Sequence, residues 1–149
     1  MYTDQPCYKM PFNAASLFGE DGGAAETCSQ ATSIAQHLML LITTQPGEHR
    51  YDQQYGNAVW QFDFDNSANQ VLWEETFVNS LLQQIARYEP RIVHPAIKVH
   101  TAVVEHTYKT RRYSEIKKKA TVAIQAVLAD SGETFHFATE IFLSPMSVD

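Results

Sequence analysis

Three sets of side chains in this sequence could carry chemistry: six histidines, scattered carboxylates, and a run of lysines and arginines. Histidines suggest a metal. His94, His100 and His106 share one strand face by parity. Neighbours in that series lie ~20 Å apart along an extended chain, so one ion could not take two of them. A site would need His37, His49 or His136 to arrive from elsewhere, and the simpler reading is surface or interface histidine with no metal. Among the carboxylates, Glu48 and Asp52 sit in a polar turn and Glu89 sits beside a proline. Glycoside hydrolysis needs two such groups ~5–10 Å apart, one with a raised pKa. Spacing alone does not supply that. The sequence holds no GxSxG, HExxH, phosphate-binding loop or GxGxxG, and neither Cys7 nor Cys28 has a nucleophile's motif. No catalytic residue and no cofactor is expected.

The basic run is Lys109, Arg111, Arg112, Lys117, Lys118 and Lys119, with Tyr108 and Tyr113 beside it. Mixed bases and aromatics suit single-stranded nucleic acid. The chain as a whole carries a net charge of −6, which opposes that partner. A solvated strand end and a dock for an acidic protein surface are the other readings. The remaining motif is Glu89-Pro90-Arg91, within IARYEPRIVHP. In extended backbone, residues i and i+2 point the same way. Pro90 fixes its own φ and biases Glu89 away from helix. The motif either ends a helix with two solvated charges or holds a carboxylate and a guanidinium side by side toward a partner.

The elements that must position these residues follow from periodicity. Ala31, Ile34, Leu38 and Leu41 predict a helix with Ser29 as N-cap and an end at Pro46-Gly47. Trp60, Phe62 and Phe64 alternate with polar residues, which favours a short strand; a single helical turn over 57–62 is the alternative. Trp73, Phe77, Leu81 and Ile85 predict a second helix, capped near Asn69 and ending near Tyr88. Alternation then gives three strands, at 97–105, 121–129 and 134–143. Asp130-Ser131-Gly132-Glu133 is the turn of a C-terminal hairpin. The expected fold class is α+β, two helices and then an antiparallel sheet. Residues 1–28 read as an N-terminal arm and flexible linker, and 29–149 as one domain. The last strand presents an edge, which is a hazard or an invitation to strand addition.

Taken in order, these features resemble the gene-25-like baseplate family. That family includes sheath-initiator wedge proteins of contractile phage tails and the TssE component of type VI secretion baseplates. The resemblance rests on LLITTQPGEHRYDQQYG, with Gly47, Glu48, Arg50 and the later Tyr55-Gly56, on Glu89-Pro90-Arg91 after an amphipathic helix, and on the β-rich C-terminus. It covers roughly residues 29–143. It implies that Glu89, Pro90 and Arg91 contact the helical core of the wedge, so that losing Glu89 or Arg91 blocks assembly of a folded chain. It also implies that the hairpin carrying Val122, Ile124, Phe135, Phe137 and Ile141 joins the first sheath ring by strand exchange. The partners would be baseplate wedge proteins and sheath subunits, in multiple copies within a symmetric assembly, without nucleic acid. The basic stretch TYKTRRYSEIKKKA is longer and more charged than the family's pattern. The family has also carried a lysozyme-like label, which makes a peptidoglycan hydrolase using Glu48, Asp52 or Glu89 the alternative function.

The totals agree with that frame. A chain of 149 residues suits one domain. The sequence shows no apolar leader, and its longest apolar run, Leu38 to Ile42, is far short of the ~20 residues that span a bilayer. Two cysteines do not make a disulfide framework. A cytoplasmic protein is expected, working in a baseplate docked at the inner membrane and not inserted in it.

Overall fold

The computed structural model describes residues 6–11, 15, 18, 27–61, 70–107 and 114–143, with backbone alone at 61, 104–107 and 114–117. Helix α1 (Gln30–Thr43) starts where Ser29 Oγ accepts the Thr32 N–H at 3.2 Å. It buries Ile34, Leu38, Leu41 and Ile42. Helix α2 (Gln70–Tyr88) buries Trp73, Phe77, Leu81 and Ile85, one residue per turn along a single stripe. Its last backbone bond runs from the Glu89 N–H to the Ile85 carbonyl, and Pro90 prevents another turn. Three strands follow: β3 (Ile92–Thr107), β4 (Ser114–Leu128) and β5 (Thr134–Phe142). They form one antiparallel sheet in that order, with β4 in the centre. Ala120, Val122, Ile124 and Ala126 of β4 and Phe135 and Ile141 of β5 join both helix stripes in one core. Burial of those faces is the main favourable contribution to folding. The α+β class, with two helices followed by an antiparallel sheet, is the architecture observed.

Four local features differ from the sequence expectation. First, Ala58–Gln61 is a 3-10 turn, which favours the helical-turn alternative over the short strand. The Asn57 side chain accepts the Val59 N–H at 3.0 Å, and the Trp60 indole donates to the Ile42 carbonyl at 2.7 Å. These bonds override an alternation that only mimicked a strand. Phe62, Phe64 and Asn69 lie outside the described residues. Second, the register of β3 on β4 slips between Val93 and Ala96, and His94 has a φ of 53°. The irregularity lets both Ile92 and Ile97 face the core, and it removes the simple parity of His94 with His100. Third, β3 and β4 run further than expected and pair out to Thr107 and Ser114, past the end of β5 opposite Lys119. Val103, on the projecting part, is 65% exposed. Fourth, part of the N-terminal arm is strand: β1 (Cys7–Tyr8) pairs antiparallel with β2 (Thr27–Cys28), just before Ser29.

Candidate functional site

Glu89 and Arg91 meet each other, as their spacing suggests, but they do not both face outward. Glu89 is 1% exposed and Arg91 21%. The Arg91 Nε donates to Glu89 Oε1 at 2.7 Å and its Nη2 donates to Oε2 at 2.8 Å, a two-point grip. The third arm of the guanidinium reaches α1, where Nη1 donates to Ser33 Oγ at 2.9 Å. One turn further along α1, His37 Nδ1 lies 2.7 Å from Glu89 Oε2. An ionised carboxylate only accepts, so the proton of that bond sits on Nδ1. Ser33 and His37 are spaced i and i+4, on one face of α1. The pair therefore bolts the end of α2 to the first half of α1. This corrects the view of Glu89-Pro90-Arg91 as two charges held out side by side. The carboxylate is turned in, and only the outer part of Arg91 and the exposed Pro90 remain available.

The electrostatics agree with that geometry. Burial by itself would raise the Glu89 pKa. The hydrogen bonds and positive charge of Arg91, with the His37 bond, outweigh it and hold the carboxyl at about 2. Beside it, burial and the Glu89 charge push the Tyr55 phenol up to about 12. Tyr55 stacks on His37 and meets Tyr88 edge-on. The Tyr88 hydroxyl donates to Asp52 Oδ2 at 2.6 Å, which lowers the Asp52 pKa together with the Gln54 N–H. Ser33 had escaped the sequence reading, and His37, Tyr55 and Tyr88 were named there in other roles, not as partners around Glu89. The one signal for Ser33 and His37 as a pair was their polar i, i+4 spacing beside the apolar stripe of α1.

The turn residues pack under this cluster. Gly47 has φ +93°, and its N–H donates to the Gln53 carbonyl. Glu48 folds back to accept the Gln45 N–H at 2.7 Å. Arg50 lies over the Tyr51 ring. Gly56 is buried at φ +125°, where an added Cβ would stand 2.5 Å from the Thr44 carbonyl oxygen. Its N–H donates to Gln84 Oε1 on α2 at 2.8 Å. Glycine is required here twice over, by backbone angle and by space. Gly56→Ala is expected to cost about 1–3 kcal/mol, read as a lower denaturation midpoint, whereas Gly47→Ala, with open space around it, costs less.

Of the residues expected to add a strand, Val122 and Ile124 belong to β4, which is paired on both sides. Their side chains, with those of Phe135 and Ile141, are core, and Phe137 is packed against it. Those side chains hold the sheet, and what β5 offers at its outer edge is main chain. The Leu128 N–H donates to the Glu133 carbonyl and the Leu143 N–H to that of Lys118. With the observed register, odd-numbered residues of β5 therefore bond to β4, and the N–H groups of His136, Ala138 and Glu140 point away from it. The opposite edge is different. The Thr101 N–H donates to Glu74 Oε1 at 3.0 Å, and Gln70 donates to the Thr101 carbonyl at 3.1 Å. Burial acts to raise the Glu74 pKa, but bonds from the Thr101 hydroxyl, the Thr101 N–H and the Gln70 amide leave it lowered. Helix α2 thus closes the edge of β3 at Thr101, and among the described residues no strand pairs with the outer edge of β5.

Of the basic run, Lys119 pairs with Glu140 at 2.8 Å and Lys118 lies beside it on β4; Lys109, Arg111 and Arg112 lie outside the described residues, as does the Lys117 side chain. Among the described residues no three His, Cys, Asp or Glu side chains group as metal ligands, and no helix is long and apolar enough to cross a membrane.

The fold is thus two helices crosslinked by a buried ion pair and backed by a three-stranded antiparallel sheet. The family model of the baseplate wedge protein gp25 matches residues 28–132, and the chain belongs to that family. No curated protein sequence matches significantly. Among solved structures, a protein described as a tail lysozyme from Geobacter sulfurreducens superposes with a TM-score of 0.52 at 16% identity, over 80% of this chain and 96% of that one. It shares the fold. A chain of the anti-feeding prophage (AFP) baseplate, solved by cryo-EM, gives a TM-score of 0.46 at 23% identity, over 76% of this chain and 83% of that one.

Proposed function

We propose that this chain is a non-enzymatic component of the baseplate of a contractile injection machine, present in several copies. It links the wedge to the first sheath ring and starts sheath polymerisation by accepting or donating a strand at β5. A type VI secretion baseplate, in the cytoplasm and docked at the inner membrane, is the first setting to test, and a phage tail is the second. Family membership supports the baseplate role. The observation that carries the strand reading is the asymmetry of the sheet: Gln70 and Glu74 take the outward groups of Thr101 on β3, and among the described residues no strand pairs with the outer edge of β5. Main-chain bonding at one edge fixes direction and register for whatever adds to it. Pro90 and the outer face of Arg91 are the wedge contact in this reading, with Glu89 holding the guanidinium in place from behind.

The hydrolase reading loses support from the same geometry. A general acid needs a carboxyl with a raised pKa. Glu89 is held at about 2 by its partners, and Asp52 is lowered as well. Glu48 is engaged in its own turn.

The decisive variant is Ala138→Pro. It removes one outward N–H and leaves the β4–β5 ladder intact, because proline is tolerated at strand edges. Introduced in place of the native copy, it is expected to reduce assembled sheaths, counted by electron microscopy, at least about tenfold with an unchanged circular dichroism melt. Normal sheath numbers would overturn the strand reading. Peptidoglycan turnover by the purified chain, lost in Glu48→Gln or Glu89→Gln, would restore the enzyme.

A further inference from the structure

The two cysteines of this chain stand directly opposite each other. In the β1–β2 ladder Cys7 pairs with Cys28. Both are free thiols and both are half-buried. Residues opposite one another in an antiparallel ladder project to the same face with Cα atoms about 4.5–5.5 Å apart. A disulfide spans Cα separations of about 4.4–6.8 Å. The backbone thus already places the two Cα atoms within the separation that a disulfide spans. The chain also joins this ladder to the Glu89 cluster at two points. Ser29, the residue after Cys28, is the N-cap of α1, and Arg91 Nη1 lies 4.0 Å from Cys7 Sγ.

We propose that Cys7 and Cys28 are a reversible redox modification site, closed to a cross-strand disulfide by a low-molecular-weight disulfide of the glutathione class. The exchange balances without any other reactant. One cysteine thiolate attacks a sulfur of the oxidant, and the first thiol of the oxidant leaves. The second cysteine thiolate attacks the resulting mixed disulfide, and the other thiol leaves. The two cysteines give up two electrons, and the two protons they lose are carried by the two released thiols. The product staples residue 7 to residue 28, so that β1 is fixed beside the N-terminus of α1 and against Arg91. Reduction removes that covalent tie and leaves the stretch to its non-covalent contacts, among them the short ladder and Arg91. This inference stands apart from the assembly role, since it rests on the register of β1 on β2 alone.

The test uses the full-length chain, equilibrated anaerobically in buffers of graded reduced and oxidised glutathione, then alkylated and analysed by intact and peptide mass spectrometry. Wild type is expected to lose both alkylatable thiols together and to yield a linked Cys7–Cys28 peptide. Cys7→Ser and Cys28→Ser are expected to give only glutathione adducts, at oxidant ratios at least about tenfold higher. In 6 M guanidinium the linkage should weaken at least about tenfold, since strand pairing no longer holds the sulfurs together. Independent glutathione adducts on wild type without a linked peptide would overturn the proposal. So would a linkage equally favourable in the denatured chain.

Discussion

Arg91→Ala is expected to destabilise the chain by about 3–5 kcal/mol, because it leaves Glu89, 1% exposed, without the cation that faces it. Removing one partner of a buried pair costs more than the pair contributes, since the survivor keeps its desolvation penalty. Four side-chain bonds are lost together: two to Glu89, one to Ser33 and a long one to Cys7 Sγ. For a chain of this length the melting temperature falls by roughly 10–15 °C. Glu89→Ala should cost less, because the stranded Arg91 is 21% exposed and can turn toward water. Urea midpoints of the two variants measure that order, and a milder Arg91→Ala would sink the argument from burial. The expectation that either loss spares the isolated chain is therefore revised. An assembly defect in Arg91→Ala says nothing about a wedge contact until the folded fraction has been measured beside it.

The second large effect is on acid stability. In the folded chain Glu89 titrates at about 2, against an ordinary 4.5. A depressed folded pKa contributes stability that is complete above the unfolded value and lost as pH falls through the folded one. The window is therefore about pH 5 down to 2, and the amount is about 3 kcal/mol. Glu89→Gln carries no charge to lose. It should be less stable than wild type at pH 7, and the gap should narrow across that window. Denaturant unfolding of both proteins at pH 7, 4 and 2.5 gives the comparison. Parallel curves would mean that Glu89 is not held by Arg91 and His37. Asp52 and Glu74 are lowered too, and they add to the slope in both proteins alike.

What could be read from the sequence was what repeats. The stripe of Trp73, Phe77, Leu81 and Ile85 has a period that only a helix satisfies, and Pro90 fixes its end. Ala120, Val122, Ile124 and Ala126 of β4 and Phe135 and Ile141 of β5 are buried as alternation requires. What could not be read was what happens once. Nothing periodic announces the slip at His94, and the aromatic alternation at Trp60 was broken by a side chain, Asn57, reaching its own backbone. The orientation of Glu89 depends on His37 and Ser33, 52 residues from Glu89 and 58 from Arg91 along the chain. The motif was visible as a motif, but its inward turn belongs to the tertiary fold, since an isolated Glu-Pro-Arg has no partner to prefer over water.

The edges of the sheet also bear on self-association. A sheet with two open edges can add copies of itself without end, the geometry of fibrils. Here Gln70 and Glu74 occupy the outward groups of Thr101, so a strand adding along β3 would meet side chains of the same chain at that residue. On β5 the outward N–H groups of His136, Ala138 and Glu140 meet no strand among the described residues. The two edges are thereby unequal, and self-association through the sheet is favoured at β5 over β3.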